Sequence, residues 1–225
     1  MSQSDTPTVL LGLEILDNLP HDKIRKKSNR LLEQAVVQKS KQISDTFKED
    51  FVPLSDPLLA RVVQTIPSYA QNFPSWVPSV ACGVLEHVGK QRPNSSIVLA
   101  DFDWLPAPDL DVDSDNSKRS STWAEGEPIV TDMKGVDHAC YLNSPQFCDI
   151  LFPTDFDKLA SFVKRTRAAA ADLETVVRVE KQSEFLQRYG PEEVKATQSW
   201  LTGHTPLLHD FANCSVLTVT TRTKQ

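Results

Sequence analysis

Two apolar runs in this sequence end in acid. The run Thr8 to Leu16 carries Glu14 and is followed by Asp17, and the run Ser96 to Phe102 delivers Asp101 and then Asp103. In open α/β sheets ligands bind outside the carboxyl ends of the strands, where such carboxylates accept hydrogen bonds or hold a cation. The same residue types also form turns and cap helices. A second polar region, Gly126 to Leu142, sets His138 beside Asp137 as an acid/base pair, although adjacent side chains rarely face each other on a helix and a structural histidine is commoner.

Other chemistries lack their residue patterns. The histidines at 21, 87, 138, 204 and 209 never take H-x-x-x-H spacing, and no G-x-S-x-G elbow occurs. Cys82, Cys140, Cys148 and Cys214 form no C-x-x-C pair, so neither a zinc site nor a disulfide framework is expected. The seven glycines, at 12, 83, 89, 126, 135, 190 and 203, make neither G-x-G nor G-x-x-x-x-G-K, so no cofactor-cradling loop is legible.

Composition narrows the partners. The 225 residues hold 24 Lys plus Arg against 30 Asp plus Glu, a net charge of −6, the wrong sign for neutralising a phosphate backbone. No stretch approaches the ~18 apolar residues of a membrane-spanning helix. The polar start, Met1 to Pro7, carries neither a secretory nor a mitochondrial signal.

The elements that must position these acids read as alternating strands and helices, which is an α/β pattern. Thr8 to Leu16 and Ser96 to Phe102 are predicted as strands buried on both faces. Lys23 to Phe51, charged with a ragged apolar stripe at Leu32, Ala35, Val36 and Ile43, reads as a surface helix. Ser55-Asp56-Pro57 caps a helix that Pro67 stops. Residues 80–88 make another helix, and Thr154 caps one that begins near Phe156. A strand over 174–179, helices over 181–189 and 191–201, and a strand over 214–221 complete the pattern. Residues 107–125, with Asp109, Asp111, Asp113 and Asp115, are expected to form a mobile acidic loop.

Leu13-Glu14-Ile15-Leu16-Asp17-Asn18-Leu19-Pro20-His21-Asp22-Lys23 resembles the N-E-F-F-D-A-L-P-V-H-K segment of the MidA-like methyltransferases, with Glu14, Asp17, Leu19, Pro20 and Lys23 on matching positions. Ala100-Asp101-Phe102-Asp103 looks like that family's A-D-Y-G. Lys134-Gly135 with Asp137-His138, and Asp149 through Asp155-Phe156, resemble its R-G…D-H and A-D-V-D-F patterns. Three positions depart: Leu13 stands for Asn or His, His21 for Val, and Asp103 for Gly.

The resemblance implies a class I S-adenosylmethionine-dependent methyltransferase, a Rossmann-like seven-stranded sheet with helical insertions. Residues 8–221 would match the second half of the family's domain, without its glycine-rich loop, as a fragment, a truncated gene model or a degenerate paralogue. It further implies a type II protein arginine methyltransferase of mitochondria that makes symmetric dimethylarginine, with a complex I subunit as partner. Glu14 and Asp17 would hold the guanidinium, while Asp101 and Phe102 would border the cofactor, which this chain alone is expected to bind little or not at all. The alternative is a non-catalytic interaction module descended from such an enzyme.

Overall fold

The computed structural model describes residues 6–27, 31–39, 46–70, 74–108, 126–142, 144, 147–167 and 173–223. In chain order these hold β1 (Thr8–Leu13), β2 (Asp22–Lys26), β3 (Leu32–Lys39), β4 (Phe47–Pro53), α1 (Pro57–Thr65), β5 (Ser75–Val77), α2 (Ser79–Gln91) and β6 (Ser95–Phe102). There follow β7 (Ile129–Asp132), β8 (Cys148–Leu151), α3 (Phe156–Arg167), β9 (Leu173–Lys181), α4 (Gln182–Tyr189), α5 (Pro191–Ala196), α6 (Pro206–His209) and β10 (Cys214–Thr223). No helix among the described residues is long and apolar enough to cross a membrane. The acidic loop expected over 107–125 lies, from residue 109 onward, outside the described residues.

The contacts divide the chain into two compact units. The first comprises Met1–Leu16, Ala81–Trp104 and Thr154–Gln225; the second comprises Asp17–Val80 and Leu105–Pro153.

Unit one is built on the sheet β1-β6-β10-β9, in which β1 runs parallel to β6 while β10 is antiparallel to both β6 and β9. Helix α3 packs on β9 and β10. Its Leu159 and Phe162, with Ile97, Leu99, Leu217 and Val219 of the sheet, are almost fully buried. Arg167, at the end of α3, is also buried and donates to the carbonyl and hydroxyl of Ser95 at 3.3 and 3.1 Å. Helix α2 makes room for it with Gly89, where a Cβ would come within 3.1 Å of Arg167 Nε.

Strand β1 corrects one expectation. It is an edge strand covered on one face only, because Val9, Leu11 and Leu13 are 72%, 63% and 59% exposed. Alternation puts these three on one side, while Gly12, on the other, lies so close to Ile15 and Leu99 that a Cβ would meet each at 2.7 Å. Strand β6 alternates buried and half-buried residues and is the interior strand of the pair.

Unit two contains the sheet β4-β3-β2-β5, the hairpin β7-β8 and helix α1. Here the helix expected over Lys23 to Phe51 is replaced by three antiparallel strands. The charges that suggested a solvated helix face are cross-strand pairs: Arg25, opposite Glu33 in register, reaches it at 2.8 Å, and Lys27 reaches the same carboxylate at 3.2 Å. Those two cations hold the Glu33 carboxyl below its usual range through hydrogen bonds, Arg25 foremost. Helix α1 forms as its cap predicts, with Asp56 accepting from Leu59 N–H at 2.8 Å and Leu59, Val62 and Val63 facing inward.

Two further boundaries shift. The cap of α3 is Asp155, whose carboxylate accepts from Lys158 N–H at 3.0 Å, and not Thr154. The helix expected over 191–201 ends at Ala196, where Thr197 turns its hydroxyl back to the Val194 carbonyl at 2.8 Å.

Candidate functional site

Because β1 and β6 are parallel and β10 begins opposite the end of β6, their acids gather at one end of the unit-one sheet. Glu14 leaves β1 in the left-handed region, φ 51°, with its N–H donating to the Ala100 carbonyl at 2.9 Å. A residue with a Cβ pays about 1–2 kcal/mol for that conformation. Two residues on, Leu16 N–H donates to Asp101 Oδ2 at 2.7 Å, while Phe102 N–H donates to Asp101 Oδ1 at 2.8 Å. Asp101 is 1% exposed and so acts as a buried clasp that holds the turn after β1 against the end of β6.

Asp103 follows directly. Its N–H donates to the Asn213 carbonyl at 2.8 Å. Its Oδ2 accepts from Ser215 Oγ at 2.5 Å and from the Lys181 ammonium, whereas Oδ1 is buried without a partner among the described residues. The buried Cys214 thiol registers the charge of this end: burial first, then Asp101, Asp103 and Glu14, push it up to about 11 against the opposing pull of Lys181.

Asp17 belongs to unit two. It is 2% exposed, takes Asn18 Nδ2 on Oδ1 at 2.7 Å, and its carbonyl accepts Phe152 N–H at 3.1 Å. Of the sequence-derived candidates, Glu14, Asp101 and Phe102 thus share one strand end, while Asp17 contributes to the other unit.

Unit two holds a second polar group that sequence reasoning missed. Lys23 Nζ lies 3.0 Å from Glu49 and 5.2 and 5.5 Å from the ring centres of Trp76 and Tyr141. The Tyr141 hydroxyl also donates to Glu49, and burial, followed by that bond, raises its pKa. Next to them His21 stacks on Phe152 at 4.3 Å. Its Nδ1 meets the Leu19 carbonyl at 2.9 Å, and burial lowers its pKa to about 4. Only the alternation of Trp76, Tyr141 and Phe152 with charged residues could have hinted at this cluster.

The pair proposed for His138 is also revised. His138 Nε2 faces Asp132 at 3.4 Å, while Asp137 takes the Thr131 hydroxyl at 2.6 Å. The backbone N–H groups of Val136 and Lys134 hold the Asp132 carboxyl below its usual range, so this is the Asx-type clasp of a turn. No group of three or more His, Cys, Asp or Glu is poised for a metal among the described residues.

A mixed sheet with acids outside the carboxyl ends of its parallel strands defines an α/β protein of Rossmann-like type. Residues 1–174 match the model of a family described as "Putative S-adenosyl-L-methionine-dependent methyltransferase", and the chain belongs to that family. Among solved structures it is similar to a superfamily member from Burkholderia thailandensis, described as a "likely methyl transferase" and bound to S-adenosylhomocysteine, with a TM-score of 0.62 and 15% identity over 98% of this chain and 55% of that one. A native structure of an uncharacterized protein of the same superfamily and organism matches with a TM-score of 0.63 and 15% identity over 94% of this chain and 55% of that one. At that identity the likeness shows the fold, and the chain spans about half the length of these structures. No curated protein matches it.

The family's cofactor is S-adenosyl-L-methionine. The described residues fit it only in part. Gly12 sits inside β1 as a packing glycine, and both Asp101 oxygens are taken by backbone N–H groups. Among the described residues, the exposed carboxylate at these strand ends is that of Glu14.

Proposed function

We propose that this chain supplies the acceptor-binding side of an S-adenosylmethionine-dependent protein arginine methyltransferase, as its resemblance to the MidA-like enzymes suggests. The observation that carries this reading is Glu14, a glutamate held at φ 51° by backbone and carboxylate clasps at the end of a parallel strand. Backbone strain of this kind persists where the surrounding structure enforces it and collects at functional sites. When bound, the cofactor would supply an electrophilic methyl group. The chain's own residues would orient the acceptor: Glu14 accepts the guanidinium N–H groups, Asp101 fixes the turn that carries Glu14, and Phe102 borders the cofactor side.

By the same resemblance the acceptor is an arginine of a protein, with a complex I subunit as partner in mitochondria and symmetric dimethylarginine as product. The second reading, a non-catalytic interaction module, draws support from the glycine spacing, which contains no G-x-G loop.

Thermal unfolding with and without S-adenosylhomocysteine tests the choice. A ligand that binds only the native state raises its melting temperature. A rise that Glu14→Gln leaves intact, together with methyl transfer to an arginine peptide that Glu14→Gln abolishes, is expected of the enzyme. A transition insensitive to S-adenosylhomocysteine refutes it for this chain and leaves the interaction module.

A further inference from the structure

The sheet of unit one has two edges, and they differ in kind. At one, β9 sets the charged Glu174 and Arg178 at exposed positions, a device that keeps an edge from pairing with another chain. At the other, β1 has no charged residue from Thr8 to Leu13. Among the described residues β1 pairs with β6 alone. The Glu14 N–H turns inward to the Ala100 carbonyl, and backbone groups alternate along a strand, so the N–H and C=O groups of Val9, Leu11 and Leu13 point away from β6. The side chains of the same three residues are exposed on one face.

A strand open at its edge and apolar on its face is matched by another strand. A helix laid on the face would cover the side chains and leave the outward N–H and C=O row bare. An extended segment pairs with that row and sets its own alternate side chains beside Val9, Leu11 and Leu13. The lack of charge on β1 narrows the segment further, because cross-strand neighbours of an uncharged apolar strand gain most from β-branched and apolar side chains. The solved relatives carry polypeptide that could supply such a segment, since almost half of their own length lies outside the part that this chain matches.

We propose that β1 is a strand-addition site: its outer edge takes a further polypeptide segment, extended, uncharged and rich in β-branched residues, as a fifth strand of the unit-one sheet. The inference is independent of the methyl acceptor and of cofactor binding by the chain alone.

The full chain is titrated, by fluorescence anisotropy, into a labelled, capped peptide of alternating valine and threonine with two terminal lysines for solubility. Saturable binding with a submillimolar dissociation constant is expected. The same peptide N-methylated at every residue keeps its apolar side chains but has no backbone donor, and is expected to bind at least tenfold more weakly. Leu11→Lys places a charge in the middle of the exposed stripe and is expected to weaken binding at least tenfold. Val37→Lys adds the same charge at an exposed apolar residue of β3, in unit two, and is expected to change binding less than twofold.

The proposal is overturned by a wild-type chain that shows no saturable binding, by equal binding of the N-methylated peptide, or by a Leu11→Lys variant that binds as the wild type does. Sedimentation of the chain without peptide tests the other occupant. A monomer is expected, whereas a dimer that Leu11→Lys dissolves would assign the edge to a second copy of this chain and overturn the proposal as well.

Discussion

Acid should weaken unit two through a single histidine. His21 keeps part of its ring in solvent, but its Nε2 is buried without a partner among the described residues, and Nδ1 faces the Leu19 carbonyl. The neutral ring with the proton on Nδ1 suits this site, since it donates to Leu19 and leaves a lone pair at Nε2. Protonation places an N–H and a charge where no acceptor waits, and burial accordingly lowers the pKa from 6.5 to about 4. The unfolded chain therefore binds the proton first. The stability this contributes is fully present above pH 6.5 and is lost as the pH falls toward about 4. At 1.36 kcal/mol for each tenfold, the fall is worth about 3 kcal/mol, or about 2–3 kcal/mol once solvent around the partly exposed ring is counted. About 2 kcal/mol of it should be gone by pH 5. Urea unfolding followed by tryptophan fluorescence, with Trp76 beside the His21–Phe152 stack, measures this from pH 7.5 to 4. His21→Phe keeps a ring on Phe152 but cannot titrate, so subtracting its curve removes the carboxylates common to both proteins. If the two proteins lose stability in parallel within about 0.5 kcal/mol, an error expected of such measurements, the reasoning fails and Nε2 must have an acceptor.

Two other outcomes follow from the strand end of unit one, and a third from the thiols. Asp101→Asn exchanges an acceptor for an amide donor facing either Leu16 or Phe102 N–H, and should cost about 2–4 kcal/mol in urea unfolding; a loss under about 1 kcal/mol would show that the clasp is not needed. Glu14→Gly relieves the left-handed strain at φ 51° and should stabilise by about 0.5–1 kcal/mol while abolishing methyl transfer, and a variant that loses stability would remove the argument from strain. In the native protein a thiol reagent at pH 8 should label the exposed Cys140 first and leave Cys82 and Cys214 unreacted, because burial pushes those thiols up to about 12 and about 11. Cys140→Ser should therefore abolish the fast phase.

What the sequence discloses depends on how far apart the interacting residues lie. Helix α1 is legible because its cap, its first-turn proline and its apolar spacing fall within 11 consecutive positions, Asp56 to Ile66. Strand β6 is legible because its apolar run is local and ends in acid. The segment from Lys23 to Phe51 misleads because its charges are satisfied across strands, and a Glu33 shared by Arg25 and Lys27 looks in one dimension like the polar side of a helix. The exposure of β1 is hidden for a related reason: apolar residues on both faces indicate an interior strand, and only the sheet order places this one at an edge.

The site follows the same rule at finer grain. Residue type located acids at the strand ends, yet it could not rank them, since Asp101 and Asp103 stand two positions apart in one short motif. Their roles diverge through partners far away in the chain. Leu16, 85 positions from Asp101, completes the occupation of its carboxylate and makes it a clasp. Lys181 and Ser215, 78 and 112 positions from Asp103, occupy only one of its oxygens. A saturated carboxylate fixes the backbone around it, whereas a half-occupied one is fixed by its side-chain partners. The difference between these two carboxylates is therefore one of hydrogen-bond partners, and it becomes visible only when the strands are assembled.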